Sequence, residues 1–326
     1  MESEQMLILD EKATTDPKYG GDPAKRSIES LLDAGVILVD KPRGPTSHQL
    51  TAWAREMLGI QRLGHGGTLD PFATGLLTML CGKATRLTEL VLTGDKRYLA
   101  LIRFGREVSQ EELSETLENL TGEIYNVPPL ESAVKVQVRT RNIREMPVIE
   151  TDDENRLAAL TITCNAGTYI RTLARDIGLM LDTTCELLEL HRDKTGSFTQ
   201  SNACTMHQLT DAIFLWREHD DDLALRRLIA PVEAILSHLP RIVVKDGAVA
   251  AISHGAALAR PGVVSLDEGI ERGELVVLES LKGEAVALAE TNSATSKIAS
   301  MQHGEVARPK VVLMQAGIYP QTWSKD

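Results

Sequence analysis

Cysteine is scarce in this chain of 326 residues. The four cysteines, Cys81, Cys164, Cys185 and Cys204, are far apart, with no CxxC pair and no Cys/His pair at zinc spacing. That excludes a disulfide scaffold and argues against a structural zinc; free thiols in a reducing cytoplasm are expected. Long apolar runs are absent too. No stretch approaches the roughly 18 residues of a membrane span, and Met1 to Tyr19 mixes both charge signs without the apolar segment of a signal peptide. Positive charge is in deficit: 35 Lys and Arg face 46 Asp and Glu, giving a net charge of −11 and a pI near 5.3. As an average, this argues against a polyphosphate partner, which calls for Lys and Arg. The glycine-rich, lysine-bearing phosphate loop of nucleotide hydrolases is missing as well.

What remains is an ordinary globular composition, 43% apolar and 25% charged, at a length that suggests two domains. Residues 1–30 combine charges with turn formers and read as an arm without a core of its own. Val36 to Val39 reads as a short buried strand. Ser47 is expected to cap a helix from His48 to Leu58 that Gly59 closes. Ser109 and Glu112 form a capping box for a helix ending at Gly122. Tyr98 to Phe104 and Leu157 to Cys164 alternate like strands, and Ile170 to Leu181 has helical spacing. Strands and helices thus alternate through residues 31–237, an α/β (α+β) domain with a mixed sheet and flanking helices. The character changes near Pro240. From 238 to 326 come short strands with glycine turns: Arg241 to Val244, Gly262 to Leu266, Glu274 to Leu281, Ala285 to Ala289 and Lys310 to Met314. Lys282-Gly283 joins two of them as a hairpin. A small C-terminal β-barrel is expected.

Charge is uneven along the chain. Residues 41–105 hold nine Lys and Arg against four Asp and Glu, and Ser132 to Arg144 holds Lys135, Arg139, Arg141 and Arg144 with no acid. One reading is a solvated surface of random charge; the other is a basic RNA-facing surface on an acidic body.

Three segments could carry chemistry. In Gly64 to Pro71 three glycines surround His65, a backbone that bends sharply or admits a ligand closely. Asp70 before Pro71 has a plain alternative, since Asp caps helices and Pro suits their first position. No second His or acid stands at ligand spacing, so no metal is expected there. In Gly167 to Arg171 a strand ends, a glycine turns, and Tyr169 and Arg171 begin a helix, where a guanidinium can pair with a carboxylate and an aromatic can contact a base. Asp95 to Tyr98 sets basic residues and a tyrosine at a strand start.

Together these segments resemble RNA pseudouridine synthases of the TruB/dyskerin class, most closely the archaeal form that serves as catalytic subunit of H/ACA guide ribonucleoproteins. The carrying residues are Asp40 to His48, His65 to Pro71 with Thr74-Gly75, Lys96 to Tyr98, Pro128-Pro129 to Lys135, Gly167 to Arg171, and Leu190 to Arg192 with Thr195-Gly196. The C-terminal strands, with His254 to Ala256 and Leu281 to Ala285, resemble a PUA domain, and the likeness runs in order from about residue 28 to Trp323. The family often has Pro at Thr78, and Leu-Arg-Arg-Thr where this chain has Leu190-His191-Arg192-Asp193.

The resemblance implies isomerisation of uridine to pseudouridine, which needs no redox change or group carrier and hence no cofactor. It implies Asp70 as the nucleophile or as the stabiliser of an oxocarbenium-like sugar, with Arg171 paired to it. Tyr98 would stack on the flipped base. Tyr169 and Leu190 would wall the pocket, His65 would fill space or stack near the vacated base position, and Lys41 and Pro42 would brace it. It further implies an N-terminal arm (1–30) packed on the PUA domain, and partners in guide RNA, rRNA or tRNA, a zinc-ribbon protein, a β-barrel protein and a kink-turn-binding protein. Cys81 to Arg86 keeps a stand-alone tRNA enzyme open, and a non-catalytic PUA assembly protein is a third reading.

Overall fold

The structure is a computed structural model; it describes residues 6–128 and 137–321. The chain forms two compact units. One gathers the residues up to Val36, the short stretch Cys81–Leu87 and the chain from Ile229 onward; the other comprises Ile37–Leu80 and Thr88–Leu228.

The second unit is built on a mixed sheet. Its strands lie in the order Gly35–Lys41, Thr74–Cys81, Cys185–Thr195, Lys96–Phe104, Leu157–Cys164, Arg139–Glu145 and Gly122–Asn126. Cys185–Thr195 runs parallel to Thr74–Cys81 and antiparallel to Lys96–Phe104. In Lys96–Phe104 every second residue is buried, and Leu157–Cys164 buries Ala158, Leu160, Ile162 and Cys164. A strand's side chains alternate between faces, so these two strands present one continuous apolar surface. Leu113 and Leu117 of helix Gln110–Asn119 cover it, as do Ile170, Leu173, Ala174 and Ile177 of helix Ile170–Met180. The core thereby sits directly beneath the turn that carries Asp70, and Leu69 and Ala73 belong to it.

Two local expectations change. The N-cap of helix Ser47–Leu58 is Thr46, in a capping box with Gln49; Ser47 is the first helical residue and its hydroxyl goes elsewhere. Helix Gln110–Asn119 ends at Leu120, and Gly122, with φ of +101°, opens the next strand instead of closing the helix. The Ser109–Glu112 capping box and the left-handed Gly59 stand as expected.

In the first unit the strands follow the order Met6–Ile8, Val263–Asp267, Arg241–Val244, Leu275–Ser280, Ala285–Thr291, Glu305–Val312 and Leu258–Ala259. The arm contributes a strand of its own, paired antiparallel with Val263–Asp267, while Leu7, Leu9 and Tyr19 pack on the core. The last long strand begins five residues before its expected start at Lys310. Pro309 lies inside it, opposite Ala289 next to a register shift, and a proline that cannot donate to the ladder hides such a strand from pattern reading.

Candidate active site

Asp70 sits in a turn, not at a helix start. The Ala73 amide donates to the Asp70 carbonyl (3.1 Å), and strand Thr74–Cys81 follows at once, so the capping role open to Asp70 in the sequence is not used. Its carboxylate meets Arg171, the second residue of helix Ile170–Met180. Nε lies 3.0 Å from Oδ2, and Nη2 donates to Oδ1 at 3.2 Å. Both side chains stay about one-third exposed, 31% and 36%, so the pair is open to a ligand. A planar guanidinium facing a carboxylate through two contacts fixes direction as well as charge.

Several main-chain groups of the turn around Asp70 are fastened by side chains and by the neighbouring strand. The Gly66 amide donates to Thr78 O (2.8 Å). Ser47 Oγ accepts from the Leu69 amide (2.9 Å) and donates to the Leu69 carbonyl (3.2 Å). Lys41 Nζ donates to Pro42 O, Pro71 O and Ala73 O at 3.0, 3.3 and 2.7 Å. Burial pushes the Lys41 ammonium below its ordinary value, while the Asp70 carboxylate acts in the opposite direction. Arg192 donates through Nη2 to Gly67 O (3.0 Å) and through Nε to Leu76 O (2.9 Å).

Tyr98 and Leu190 stand on neighbouring strands and share the core cluster with Leu69. Tyr98 is 8% exposed, and burial raises its hydroxyl above the ordinary value. Lys96, two residues earlier on the same face, holds the carbonyls of Val91, Leu92 and Gly94, closing the C-terminal end of helix Thr88–Thr93. Burial lowers its ammonium to about 8. Tyr169 caps its helix without a side-chain bond; its amide donates to Asn126 Oδ1 (2.9 Å) and its carbonyl accepts from Asn126 Nδ2 (3.3 Å). His65 lies edge-on to His48, ring centroids 4.8 Å apart, beside a recess of about 390 Å³ that Arg55 and Thr88 also line. Its Nδ1 is buried without a hydrogen-bond partner, and burial lowers its basicity.

The structure therefore joins Asp70 to Arg171, places Tyr98 and Leu190 in the core below, and puts the buried Lys41 under the turn, while Pro42 is exposed and accepts from the same ammonium through its carbonyl. His65 engages His48. Sequence reading missed the functions of Ser47, Asn126 and Arg192. Ser47 looks like a helix cap, Asn126 like a turn residue, and Arg192 is a charge on a strand, so only the three-dimensional partners reveal them. Of the basic stretch Ser132 to Arg144, Lys135 lies outside the described residues, as do Pro129 and Trp323. Arg141 Nε donates to Gly167 O (3.0 Å) and Arg144 pairs with Asp95 (3.3 Å). Among the described residues, no group of three His, Cys, Asp or Glu could hold a metal ion, and no helix is long and apolar enough to cross a membrane.

Comparison with known proteins matches four family models along the chain. They are the DKCLD (NUC011) domain at residues 1–51, the TruB family pseudouridylate synthase N-terminal domain at 55–170, the tRNA pseudouridylate synthase B C-terminal domain at 171–237, and the PUA domain at 240–313. The probable tRNA pseudouridine synthase B of Methanosarcina barkeri is 42% identical over 324 residues, covering 99% of this chain and 95% of its own. That of Methanothermobacter thermautotrophicus is 43% identical over 312 residues, covering 96% of each. Among solved structures, a chain of a Cbf5-Nop10-Gar1 complex superposes with a TM-score of 0.89 at 38% identity, over 98% of this chain and 97% of that one. A chain of an H/ACA ribonucleoprotein bound to a substrate RNA containing 2′-deoxyuridine gives 0.91 at 36% identity, over 98% of both. With a carboxylate–guanidinium fork on the expected residues and relatives this similar over nearly their whole length, the chain belongs to the TruB family of pseudouridylate synthases.

Proposed function

We propose that this chain isomerises uridine in RNA with Asp70 as the nucleophile, as the catalytic subunit of a guide-RNA ribonucleoprotein. The observation that carries this is the Asp70–Arg171 fork, open to ligand and set above the buried ring of Tyr98. In the isomerisation the N1–C1′ bond breaks, the base turns, and a C5–C1′ bond forms. The proton leaves C5 and N1 gains one, so nothing is oxidised. Asp70 attacks or steadies the electron-poor sugar or base, and Arg171 keeps it aimed. Tyr98 stacks on the flipped uracil, Leu190 and Tyr169 bound the pocket, and His65 fills the position the base leaves. Lys41 and Pro42 hold the turn.

The domains divide the work. Residues 31–237 perform the chemistry, the 238–326 domain holds RNA by shape and backbone, and the arm, 1–30, braces that domain. Its partners are a guide RNA and small proteins of the kind named with the similar solved chain, Nop10 and Gar1, together with a kink-turn-binding protein on the same guide. Four thiols kept protonated by burial suit a reducing cytoplasm.

A second reading, a stand-alone enzyme acting on the T-loop uridine of tRNA, is favoured by the names of the relatives. One assay separates the two: pseudouridine formed on a guide–substrate duplex and on an unmodified tRNA transcript, each with and without the partner proteins. Turnover that needs guide and partners supports the first reading, and turnover of tRNA by the chain alone supports the second. If Asp70→Asn works at the wild-type rate on both substrates, both readings fall.

A further inference from the structure

Arg192 is the largest fully buried side chain of the described residues, 1% exposed. Among those residues it forms no ion pair with a carboxylate; its guanidinium donates to the main-chain carbonyls of Gly67 and Leu76. A buried cation without a counter-ion is costly, on the order of several kcal/mol. A core position filled only for packing would favour an apolar residue there.

The neighbourhood suggests what the charge does. In the sheet Arg192 lies opposite Tyr98 on one side and Gly75 on the other. Gly75 has φ of +99°, and a Cβ there would come within 2.3 Å of the Arg192 carbonyl oxygen. The strand carrying Arg192 and the strand leaving the Asp70 turn are thus in main-chain contact. Immediately after Arg192 the pairing with Lys96–Phe104 shifts register, and the displaced Asp193 turns to hold Arg97 through Nε and Nη2, 2.7–3.1 Å away. A bulge of this kind re-aims side chains and fixes local twist. Tyr98 is therefore paired with Arg192 across the ladder, and the Arg97–Asp193 pair fastens the neighbouring residue of its strand. The same guanidinium reaches over to the Gly67 carbonyl, three residues before Asp70.

We propose that Arg192 is a positioning residue for the isomerisation, its guanidinium locking the turn that carries Asp70 to the strand that carries Tyr98. The carboxylate and the stacking ring belong to segments far apart in sequence, and Arg192 ties both into one rigid unit. Its charge is felt throughout the site: it lowers the basicity of Lys41, His65 and Lys96, in each case after the larger effect of burial. The assignment rests on Asp70 and Tyr98 acting as described under Proposed function.

The test measures single-turnover isomerisation at saturating RNA, RNA affinity and thermal unfolding for Arg192→Met and Arg192→Lys, with Asp70→Asn as the reference. Arg192→Met keeps the stem and loses every donor. Arg192→Lys keeps the charge but not the fork that spans two carbonyls. Displacing a reacting group by about 1 Å costs about a hundredfold in rate. Arg192→Met is therefore expected to slow the chemical step about a hundredfold and Arg192→Lys about tenfold, with RNA affinity within about threefold of wild type, at a temperature where both remain folded. Folded variants that isomerise at the wild-type rate overturn the proposal. So do equal losses of rate and affinity, or failure of both variants to fold, which would make Arg192 a structural residue only. An active Asp70→Asn sinks the underlying reading instead, so the two failures are told apart.

Discussion

Arg171 holds both oxygens of Asp70, Nε at 3.0 Å from Oδ2 and Nη2 at 3.2 Å from Oδ1. The fork aims the carboxylate, because rotating it would break two contacts at once. Asp70→Asn keeps the shape and removes the charge. It is expected to reduce pseudouridine formation by at least about a thousandfold, as loss of a covalent nucleophile does, while RNA affinity and melting temperature stay near wild type. Nucleoside analysis of a single-turnover reaction, with RNA binding measured in parallel, checks this. Turnover near the wild-type rate would leave Asp70 no chemical role.

Replacing Arg171 by lysine separates charge from geometry. An ammonium can neutralise Asp70 but offers a point charge where the guanidinium offers a plane. A hydrogen bond to a charged group contributes about 1.5–3 kcal/mol, so Arg171→Lys is expected to slow turnover about ten- to a hundredfold and Arg171→Ala more. RNA affinity should change far less than rate. Equal losses in both would show that Arg171 binds RNA and does not orient Asp70.

The frame of the fold was readable in the sequence where one force dominates. Alternation in Leu157 to Cys164 marks its strand end to end, because both its neighbours and the helices above demand the same buried face. The Ser109–Glu112 box marks its helix start because the capping chemistry is local. Asp70 and Arg171, 101 residues apart, came from motif resemblance and are in contact. What stayed hidden depends on partners distant in sequence. Ser47 satisfies the cap pattern, yet Thr46 takes that role and frees Ser47 to hold Leu69. Arg192 and Asn126 are polar residues buried because a main-chain group needs a donor or acceptor there, which no local pattern encodes.

Ser47 is fully buried, and its hydroxyl satisfies both main-chain groups of Leu69. Ser47→Ala leaves the Leu69 amide and carbonyl without those partners, at a cost of about 1–3 kcal/mol. Urea unfolding should record that loss. Turnover should fall as well, since Leu69 precedes Asp70. An unchanged unfolding midpoint would mean that the hydroxyl does not hold the turn.

The thiols give a pH signature. Burial raises Cys81 and Cys185 to about 12 and Cys164 and Cys204 to about 11, from an ordinary 9.0. Between 9 and 11 the unfolded chain has released protons that the folded chain keeps, so these groups favour folding below 9 and lose that contribution as pH rises. Lys96, lowered to about 8 from 10.5, acts oppositely, the folded chain gaining stability from about 8 upward. Lys41, also lowered by burial, acts with Lys96, while Tyr98 and Tyr319, raised by burial, act with the four thiols, so a net decline above pH 9 is predicted. Replacing Cys81 and Cys204 by alanine should flatten the decline in urea-unfolding free energy between pH 9 and 11. Parallel declines in wild type and double variant would count against buried thiols as its cause.

The arm is tied to the C-terminal domain at a buried carboxylate. Glu284, 5% exposed, accepts from Ser280 Oγ (2.9 Å), from the Tyr319 hydroxyl (2.6 Å) and from the Gly21 amide of the arm (3.1 Å). Other ties act independently. Lys282 Nζ donates to the carbonyls of Asp16 and Tyr19, Asp246 accepts from Thr15 Oγ1 and the Asp16 amide, and Lys245 pairs with Asp10 at 2.6 Å. The strand Met6–Ile8 adds its own ladder. Because ties that share no partner act nearly additively, Glu284→Ala should loosen the arm locally instead of releasing it. Hydrogen exchange is expected to quicken around Gly20 and Gly21 and stay slow at Leu7 and along Val263–Asp267. The hydroxyls of Ser280 and Tyr319, left without their acceptor, should lower stability by about 2–3 kcal/mol. Single-turnover isomerisation should remain within about twofold of wild type, because no tie in this group reaches Asp70 or Arg171. Rapid exchange along the whole of Met6–Ile8 would show instead that Glu284 is the keystone of the arm and that the remaining contacts follow from it.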